Sequence, residues 1–242
     1  KTASGLTEKD SVLCLISGGG SSLLSLPAPG LNLEDKKGIT SKLLKCGASI
    51  HEINCVRKHL SAIKGGRLAV ACSPAHLLTL TISDGPGDDL SVIASGPTVA
   101  DPSTFEDALK ILYKHDISEP KSVLKHLENS DDETPKPGDS RLKNVENYLI
   151  ATPKQSLQAA SRAASEAGIT PLILGENLQG ESRDMGKIHA KKALQIQKNG
   201  NPLLPPAVIL SGGETSVTVK GSGRGGPNTE FTLSLLQELR GQ

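Results

Sequence analysis

The chain has 242 residues, enough for one large α/β domain or two smaller domains. Its 27 basic and 26 acidic residues leave a formal net charge of +1 without a long run of one sign, so the charge does not favour nucleic acid or an anionic membrane as a partner. Aromatic residues make up only 2% and Trp is absent, which predicts a core of Leu, Ile, Val and Ala, as in layered α/β proteins.

Short apolar runs alternate with stretches of helical periodicity along the chain. Predicted strands cover Val12 to Ile16, Leu77 to Ile82, Tyr148 to Ala151, Pro171 to Leu174 and Ala207 to Leu210. Predicted helices cover Leu33 to Cys46, Asn54 to Leu60, Thr104 to His115, Pro153 to Ala167, Ser182 to Lys198 and Asn228 to Leu239. Because parallel strands need crossover helices, this order predicts an α/β fold: a three-layer sheet with helices on both faces.

Two segments interrupt this pattern. Residues 128–143 are acidic, contain Pro and Gly and have almost no apolar side chains, which predicts a long exposed loop or linker. Residues 199–206 end a long helix and precede a new strand. We therefore expect a main α/β lobe over residues 1–204 and, over 205–242, the start of a second, smaller α/β lobe that is incomplete here.

The first candidate site follows the first strand. Glycines let a backbone turn sharply and approach a ligand, and successive N–H groups there can bind an anion. The segment from Ser17 to Ser22 is neither a Walker A loop nor a GxGxxG loop. A tight turn and a phosphate cradle therefore stay equally open as interpretations. Its candidate binding residues are Ser17, Gly18, Gly19, Gly20 and Ser21.

Carboxylates follow the second predicted strand. Asp84, Asp88 and Asp89 lie where open α/β sheets bind ligands, and their hard oxygens suit Mg²⁺ held beside substrate phosphates. The alternative is that Asp in a Gly/Pro turn only caps backbone N–H groups. We favour function for Asp84, and less strongly for Asp88 and Asp89.

A run of cations lies between residues 54 and 67. Asn54, Arg57, Lys64 and Arg67 fall within a few helical turns, and a Gly pair ends the helix near Lys64. Anionic ligands are the functional interpretation. A solvated charged face is the alternative, and this segment taken alone favours it.

The last candidate site lies near the end of the chain. Arg224 stands among flexible glycines, where its guanidinium can bind a carboxylate or phosphate, and Asn228 can cap the following helix. The pattern of Val217 to Lys220 predicts a hairpin strand just before it. The alternative is an ordinary Gly-rich hairpin tip.

Five motifs, taken in order, resemble the class II glycerate kinases, some of which are also labelled hydroxypyruvate reductases. They are SGGGSSLL, HEINCVRKHLSAIKGGRLA, SDGPGDDLSVIASGPT, TPKPGD and SGGETSVTVKGSGRGGPNTEF. The family continues upstream into a Gly-Lys motif and downstream through Asp-rich glycine loops that this chain does not contain. We therefore expect a partial chain that is catalytically inactive unless the rest of the lobe is supplied.

The resemblance implies ATP-dependent, Mg²⁺-dependent phosphorylation of D-glycerate in a cleft between two unlike lobes. It implies Arg224, Asp84 and Lys64 as catalytic residues and Asp84 with Asp88 at the metal. The implied substrate or nucleotide contacts are Ser17, Gly18, Gly19, Gly20, Ser21, Asn54, Arg57, Gly212, Gly213, Glu214, Asn228 and Glu230. Phosphoryl transfer needs positioning and charge neutralisation, which these residue types supply.

Two other functions stay open. A hydroxypyruvate reductase would need a nicotinamide cofactor, and the absence of a GxGxxG loop with a downstream acid argues against it. A truncated nucleotide-binding product would bind ATP without turnover. Four cysteines without CxxC spacing predict reduced thiols, hence a cytoplasmic protein, and the resemblance implies small-molecule partners, with a homodimer left open.

Overall fold

The computed structural model describes Ala3, residues 5–83 and residues 87–240, and the chain divides into two compact units. The first unit comprises Lys1–Ser83 and Asp88–Ile150, and the second comprises Asp84–Gly87 and Ala151–Gln242. The lobe boundary predicted at residues 204 and 205 concerns the whole protein and stays a prediction.

The first unit contains a three-stranded sheet with the order β1-β2-β3. Its strands are β1 (Ser11–Ile16), β2 (His76–Ile82) and β3 (Val145–Ala151), so each apolar run predicted there is a strand. β1 and β2 are parallel and in register from the pair Ser11 and His76 to the pair Ile16 and Thr81. The predicted α/β class is therefore confirmed.

The helices of the first unit are α1 (Gly20–Leu23), α2 (Leu33–Lys45), α3 (Ile50–His59), α4 (Arg67–Cys72), α5 (Phe105–Lys114) and α6 (Lys121–Asn129). Capping boxes fix where three of them begin, because an N-cap side chain and the residue three positions later satisfy each other's backbone N–H groups. The pairs are Asn32 with Asp35, Ser49 with Glu52, and Thr104 with Asp107.

The main apolar core of this unit lies among α2, α3, α5 and α6. Leu43, Val56, Leu112 and Val123 are completely buried there. A smaller cluster joins one face of the sheet to α4, where Cys72 contacts the strands. These packed helices hold α3 and the segment after it in fixed positions.

The other face of the three-stranded sheet is open among the described residues. Leu13 and Leu15 of β1 are 59% and 70% exposed, and Tyr148 and Ile150 of β3 are each 51% exposed. The helix layer that the sequence predicts on this face is not supplied by the described residues.

The second unit pairs β4 (Thr170–Leu178) with β5 (Ala207–Gly213) in parallel, and its helices are α7 (Pro153–Glu166), α8 (Ser182–Asn199) and α9 (Pro227–Leu239). α7 packs on both strands, and α8 packs along α9. The hairpin strand predicted over Val217 to Lys220 is wrong, because only the preceding Ser216 forms an isolated bridge, with Glu181.

Within the segment 128–143, residues 130–139 lack helix and strand, but the segment is not exposed throughout. Thr134 is 1% exposed, and its hydroxyl donates to Asp101 at 3.1 Å. Glu133 accepts the backbone N–H of Phe105 at 2.7 Å. The prediction of full exposure fails because these polar groups find buried partners distant in the sequence.

Candidate functional site

Three cations surround the loop that follows β1. Arg57 Nη2 and Lys64 Nζ each donate to the carbonyl of Ser21 at 2.9 Å, and Lys64 also donates to the carbonyl of Ala94 at 3.0 Å. Lys36 Nζ donates to two carbonyls just after α1, at 3.1 and 3.3 Å. We call Lys36, Arg57 and Lys64 the cation cluster.

Lys36 and Lys64 of the cation cluster are buried, Arg57 is half-buried, and the cluster lacks a counter-ion among the described residues. Lys64 is 1% exposed and Lys36 is 8% exposed, and no ion pair in the described part of the chain includes any member of the cluster. Buried charges are normally paired, so this arrangement costs stability unless an anion binds.

The electrostatics reflect that missing negative charge. Burial, together with the charges of Arg57 and Lys36, lowers the pKa of Lys64 to about 7. Burial and the charge of Arg57 lower the pKa of Lys36 to about 8, and burial lowers the pKa of Arg57. An anionic ligand would restore these cations to full charge and gain charge-assisted hydrogen bonds.

A cavity of about 430 Å³ gives a ligand access to the cluster. It is lined by all three cations and by Ser21 and Ser22. The cavity therefore combines positive charge with hydroxyl groups, which suits a phosphate or a carboxylate.

A buried polar pair supports the loop from behind. The Ser95 hydroxyl donates to Asn54 Oδ1 at 2.9 Å and lies 3.2 Å from the Ser21 hydroxyl. Asn54 Nδ2 is buried and has no hydrogen-bond partner among the described residues. Ala94 and Ser95 hold φ values of 53° and 63°, a conformation that costs on the order of 1 kcal/mol for each such residue and that is concentrated at functional sites.

The loop itself makes mostly internal backbone bonds. Gly20 donates to the carbonyl of Ser17, and Ser22 donates to the carbonyl of Gly19. Towards the cluster the loop presents a carbonyl and hydroxyl groups. The N–H cradle predicted for Ser17, Gly18, Gly19, Gly20 and Ser21 stays a prediction.

The predicted metal ligands are described only in part. Asp84 lies outside the described residues. Asp88 Oδ1 is buried and has no hydrogen-bond partner among the described residues. It is a hard oxygen of the type that Mg²⁺ prefers. Within the same residues, no group of three or more His, Cys, Asp and Glu side chains could hold a metal ion.

The second unit carries the remaining predicted residues. Arg224 is exposed and makes no polar contact with the described residues, and it lines a groove of about 540 Å³ with Arg183, Lys220 and Glu230. Glu230 already pairs with Arg183 at 2.6 Å, so its carboxylate is engaged between α8 and α9. The guanidinium of Arg224 is therefore available to a ligand in this groove.

The other predicted residues of this unit lie at the end of β5 and at the start of α9. Gly212, Gly213 and Asn228 line a separate cavity of about 180 Å³. Glu214 is exposed in the loop that follows β5. The structure thus brings Ser21, Asn54, Arg57 and Lys64 together in the first unit and gathers Gly212, Gly213 and Asn228 in the second.

Sequence reasoning missed Lys36 and Ser95. A signal for Lys36 was present, since Lys36, Ile39 and Leu43 share the buried face of α2 at helical spacing. A lysine on an apolar face indicates a special environment. Ser95 offered no comparable signal, because its role depends on a backbone conformation that its sequence context does not reveal.

Comparisons with known proteins connect these features to a family. Residues 1–128 match the family model described as Domain of unknown function (DUF4147), and residues 207–242 match the MOFRL family. Glycerate 2-kinase from Pyrococcus horikoshii is 47% identical, covering 96% of this chain and 53% of that protein. The crystal structure of glycerate kinase from Thermotoga maritima superposes with a TM-score of 0.83 at 45% identity, covering 100% of this chain and 56% of that one.

This chain belongs to the glycerate kinase family. The resemblance predicted from the motifs is confirmed. An Agrobacterium vitis protein named "Putative hydroxypyruvate reductase" is 52% identical, covering 98% of this chain and 54% of that protein, so members of the family carry both names. The chain spans about half the length of the curated relatives it matches. Among its described residues, no helix combines the length and apolar character needed to cross a membrane.

Proposed function

We propose that this chain forms part of an enzyme that phosphorylates D-glycerate at its 2-hydroxyl with ATP. The observation that carries the proposal is the cation cluster, because two buried lysines and a half-buried arginine without a carboxylate partner among the described residues favour an anionic ligand. The names of two relatives, glycerate 2-kinase from Pyrococcus horikoshii and D-glycerate 2-kinase from Thermotoga maritima, support the choice of substrate and hydroxyl.

In this proposal the cation cluster binds the polyphosphate of ATP, which carries more negative charge than glycerate does. Arg57 supplies a planar fork for two phosphate oxygens, and Lys64 supplies a point charge. Arg224 neutralises charge on the transferred phosphoryl group, a task that arginine performs in other phosphoryl transfers. Asn54 and Ser21 hold the loop, and Gly212, Gly213, Glu214, Asn228 and Glu230 belong to the acceptor side.

Mg²⁺ would be held by Asp88 together with Asp84, where it would neutralise phosphate charge. The Oδ1 of Asp88, which lacks a partner among the described residues, supports this assignment. The scattered free cysteines agree with a cytoplasmic reaction. We keep the lobe boundary near residue 204 and a homodimer as parts of the proposal.

The test is to incubate the full-length protein with D-glycerate, ATP and Mg²⁺ and to follow the product by ³¹P NMR. Phosphorus coupled to the single methine proton identifies the 2-phosphate, whereas coupling to methylene protons identifies the 3-phosphate. We expect the 2-phosphate, and we expect Arg224→Ala to lose it. Absence of product together with absence of stabilisation by ATP or D-glycerate would overturn the proposal.

ATP binding to the cation cluster has its own measurement. ATP should raise the melting temperature of the wild-type chain, because a ligand of the native state stabilises it. Lys36→Met should lose most of that shift. Lys45→Met is the matched control, since Lys45 is exposed on the same helix and should leave the shift unchanged.

The same experiments separate the alternatives. A hydroxypyruvate reductase would consume NADH with hydroxypyruvate; against it, the loop after β1 leads into the four-residue helix α1 rather than the long helix of a dinucleotide-binding unit. A non-catalytic nucleotide-binding product would be stabilised by Mg-ATP and form no phosphoglycerate.

A further inference from the structure

A serine and a histidine that the proposed roles leave unused meet in the second unit. Ser211 lies in β5 just before the Gly pair, and His189 lies on α8. Their side chains are joined by a hydrogen bond of 2.8 Å between Ser211 Oγ and His189 Nε2. Both side chains line the cavity of about 180 Å³ that also contains Asn228 and Gly212.

The second ring nitrogen fixes the direction of that hydrogen bond. His189 Nδ1 lies 2.7 Å from the carbonyl of Met185, which can only accept, so Nδ1 carries a proton. In the neutral imidazole Nε2 is then the acceptor, and the Ser211 hydroxyl donates to it. The oxygen of Ser211 keeps its lone pairs for a further donor.

The two residues are held in place from several sides. His189 is 7% exposed, and the edge of its ring contacts Phe231 of α9 at a centroid distance of 4.9 Å. A Cβ on Gly213 would lie 2.2 Å from the carbonyl of Leu178, so only glycine allows the end of β5 to approach β4 this closely. Strand and helix therefore fix Ser211 against His189.

Among the described residues, His189 is the one imidazole that lines this cavity. No Asp, Glu, Lys or Arg of that part of the chain lines it, and its other polar side chains are those of Thr215 and Asn228. The charged pair that links α8 to α9, Arg183 with Glu230, is closed on itself. A hydroxyl-bearing ligand in this cavity would donate its proton to Ser211.

We propose that Ser211 and His189 form the proton relay for the acceptor hydroxyl; this assignment rests on the proposed function. The glycerate oxygen attacks the γ-phosphorus of ATP, and the bond between that phosphorus and the bridging oxygen breaks, with its electron pair leaving on ADP. The hydroxyl proton passes to Ser211 Oγ as the Ser211 proton passes to His189 Nε2. The imidazolium then releases its proton to solvent.

Such proton transfers usually involve three groups: a hydroxyl, a base that is hydrogen-bonded to it, and a third group that orients the base. Here Met185 is the orienting group and His189 is the base. Asn228 and the backbone at Gly212 stand beside Ser211 and can hold the ligand. The ligand class is thus a small molecule with a hydroxyl and few heavy atoms, which the cavity volume permits.

The test compares Ser211→Ala, Ser211→Thr and His189→Gln with wild type in the phosphorylation assay. We expect kcat to fall about 100-fold in Ser211→Ala and in His189→Gln, with KM for D-glycerate changed less than about twofold. Ser211→Thr keeps the hydroxyl and should retain most of kcat. His51→Gln, an exposed histidine, is the control.

A kcat within about twofold of wild type in Ser211→Ala would overturn the relay, and because Ser211 is exposed this variant is expected to fold. If the full-length wild-type protein forms no phosphoglycerate, the kinetic comparison is replaced by a binding measurement, which decides the inference. D-glycerate should then shift the ring resonances of His189 in an NMR titration and leave those of His51 unmoved. Unmoved His189 resonances would overturn the inference.

Discussion

Replacing Lys64 with methionine should change how the stability of the protein depends on pH. Burial and two neighbouring cations lower the pKa of Lys64 to about 7, whereas an unfolded lysine has a pKa of about 10.4. Between these values the unfolded chain binds more protons than the folded chain does. The free energy of unfolding therefore rises with pH in that window.

The size of the effect follows from proton linkage. Integrating the difference in bound protons from pH 7 to pH 9 gives roughly 2 kcal/mol from Lys64. Lys36, whose pKa is lowered to about 8, adds a contribution of the same sign, and burial raises the pKa of Cys55 to about 11, which acts in the opposite direction. The Cys55 contribution is the same in wild type and in Lys64→Met, so it cancels in the difference between the two proteins. The Lys36 contribution cancels only in part, because the charges of Lys36 and Lys64 interact.

The assay is urea unfolding followed by circular dichroism at pH 7 and pH 9. The free energy of unfolding of wild type minus that of Lys64→Met should increase by about 2 kcal/mol between the two values. Lys45→Met, an exposed control, should differ from wild type by the same amount at both pH values. A difference between wild type and Lys64→Met that stays constant with pH would refute a buried, uncompensated Lys64.

Three further substitutions test the packing that supports the site. Gly66→Ala should lower the free energy of unfolding, measured by thermal melting, by more than about 2 kcal/mol, because the new Cβ would lie 2.6 Å from a neighbouring proline ring at a φ of 82°. Gly47→Ala is the control: its Cβ meets open space, and it should lose about 1 kcal/mol in the same measurement. Asp101→Asn should lose about 3 kcal/mol, measured by urea unfolding, because it leaves Lys58 buried without its partner at 3.3 Å; unchanged stability would contradict that pairing. Thr152→Ala removes a capping box and should lower the urea midpoint by an amount equivalent to about 1 kcal/mol.

Acid stability provides an additional check on Asp101. Burial raises its pKa, but Lys58, Ser103 and His59 together outweigh burial, and the net direction is down. A carboxyl whose pKa is lowered by folding stabilises the protein above its unfolded pKa, and this stabilisation is lost as the pH falls through the folded pKa. Asp101→Asn should therefore unfold with a weaker dependence on pH below about pH 4 than wild type does, in a thermal melt series.

The strands could be predicted because each is an apolar run bounded by turn residues, and local composition decides that pattern. Short helices could not. α4 has six residues, too few for a period to show, and α6 has only two fully buried positions, Val123 and Leu127. α3 begins at Ile50, four residues before the predicted start, because the capping box of Ser49 and Glu52 extends it. These features depend on individual side-chain bonds rather than on periodicity.

The run of cations between residues 54 and 67 shows where sequence reasoning on the site stops. Arg57 and Lys58 are adjacent but point about 100° apart on α3, so they meet different partners. Lys58 pairs with the carboxylate of Asp101, and Arg67 pairs with a second carboxylate. These pairs stabilise the fold. Arg57 and Lys64 meet only carbonyls among the described residues. The four side chains are of the same types, so the sequence does not distinguish them. The two structural cations differ from the two binding candidates because each has a carboxylate partner more than 40 residues away in the sequence, which only the fold brings close.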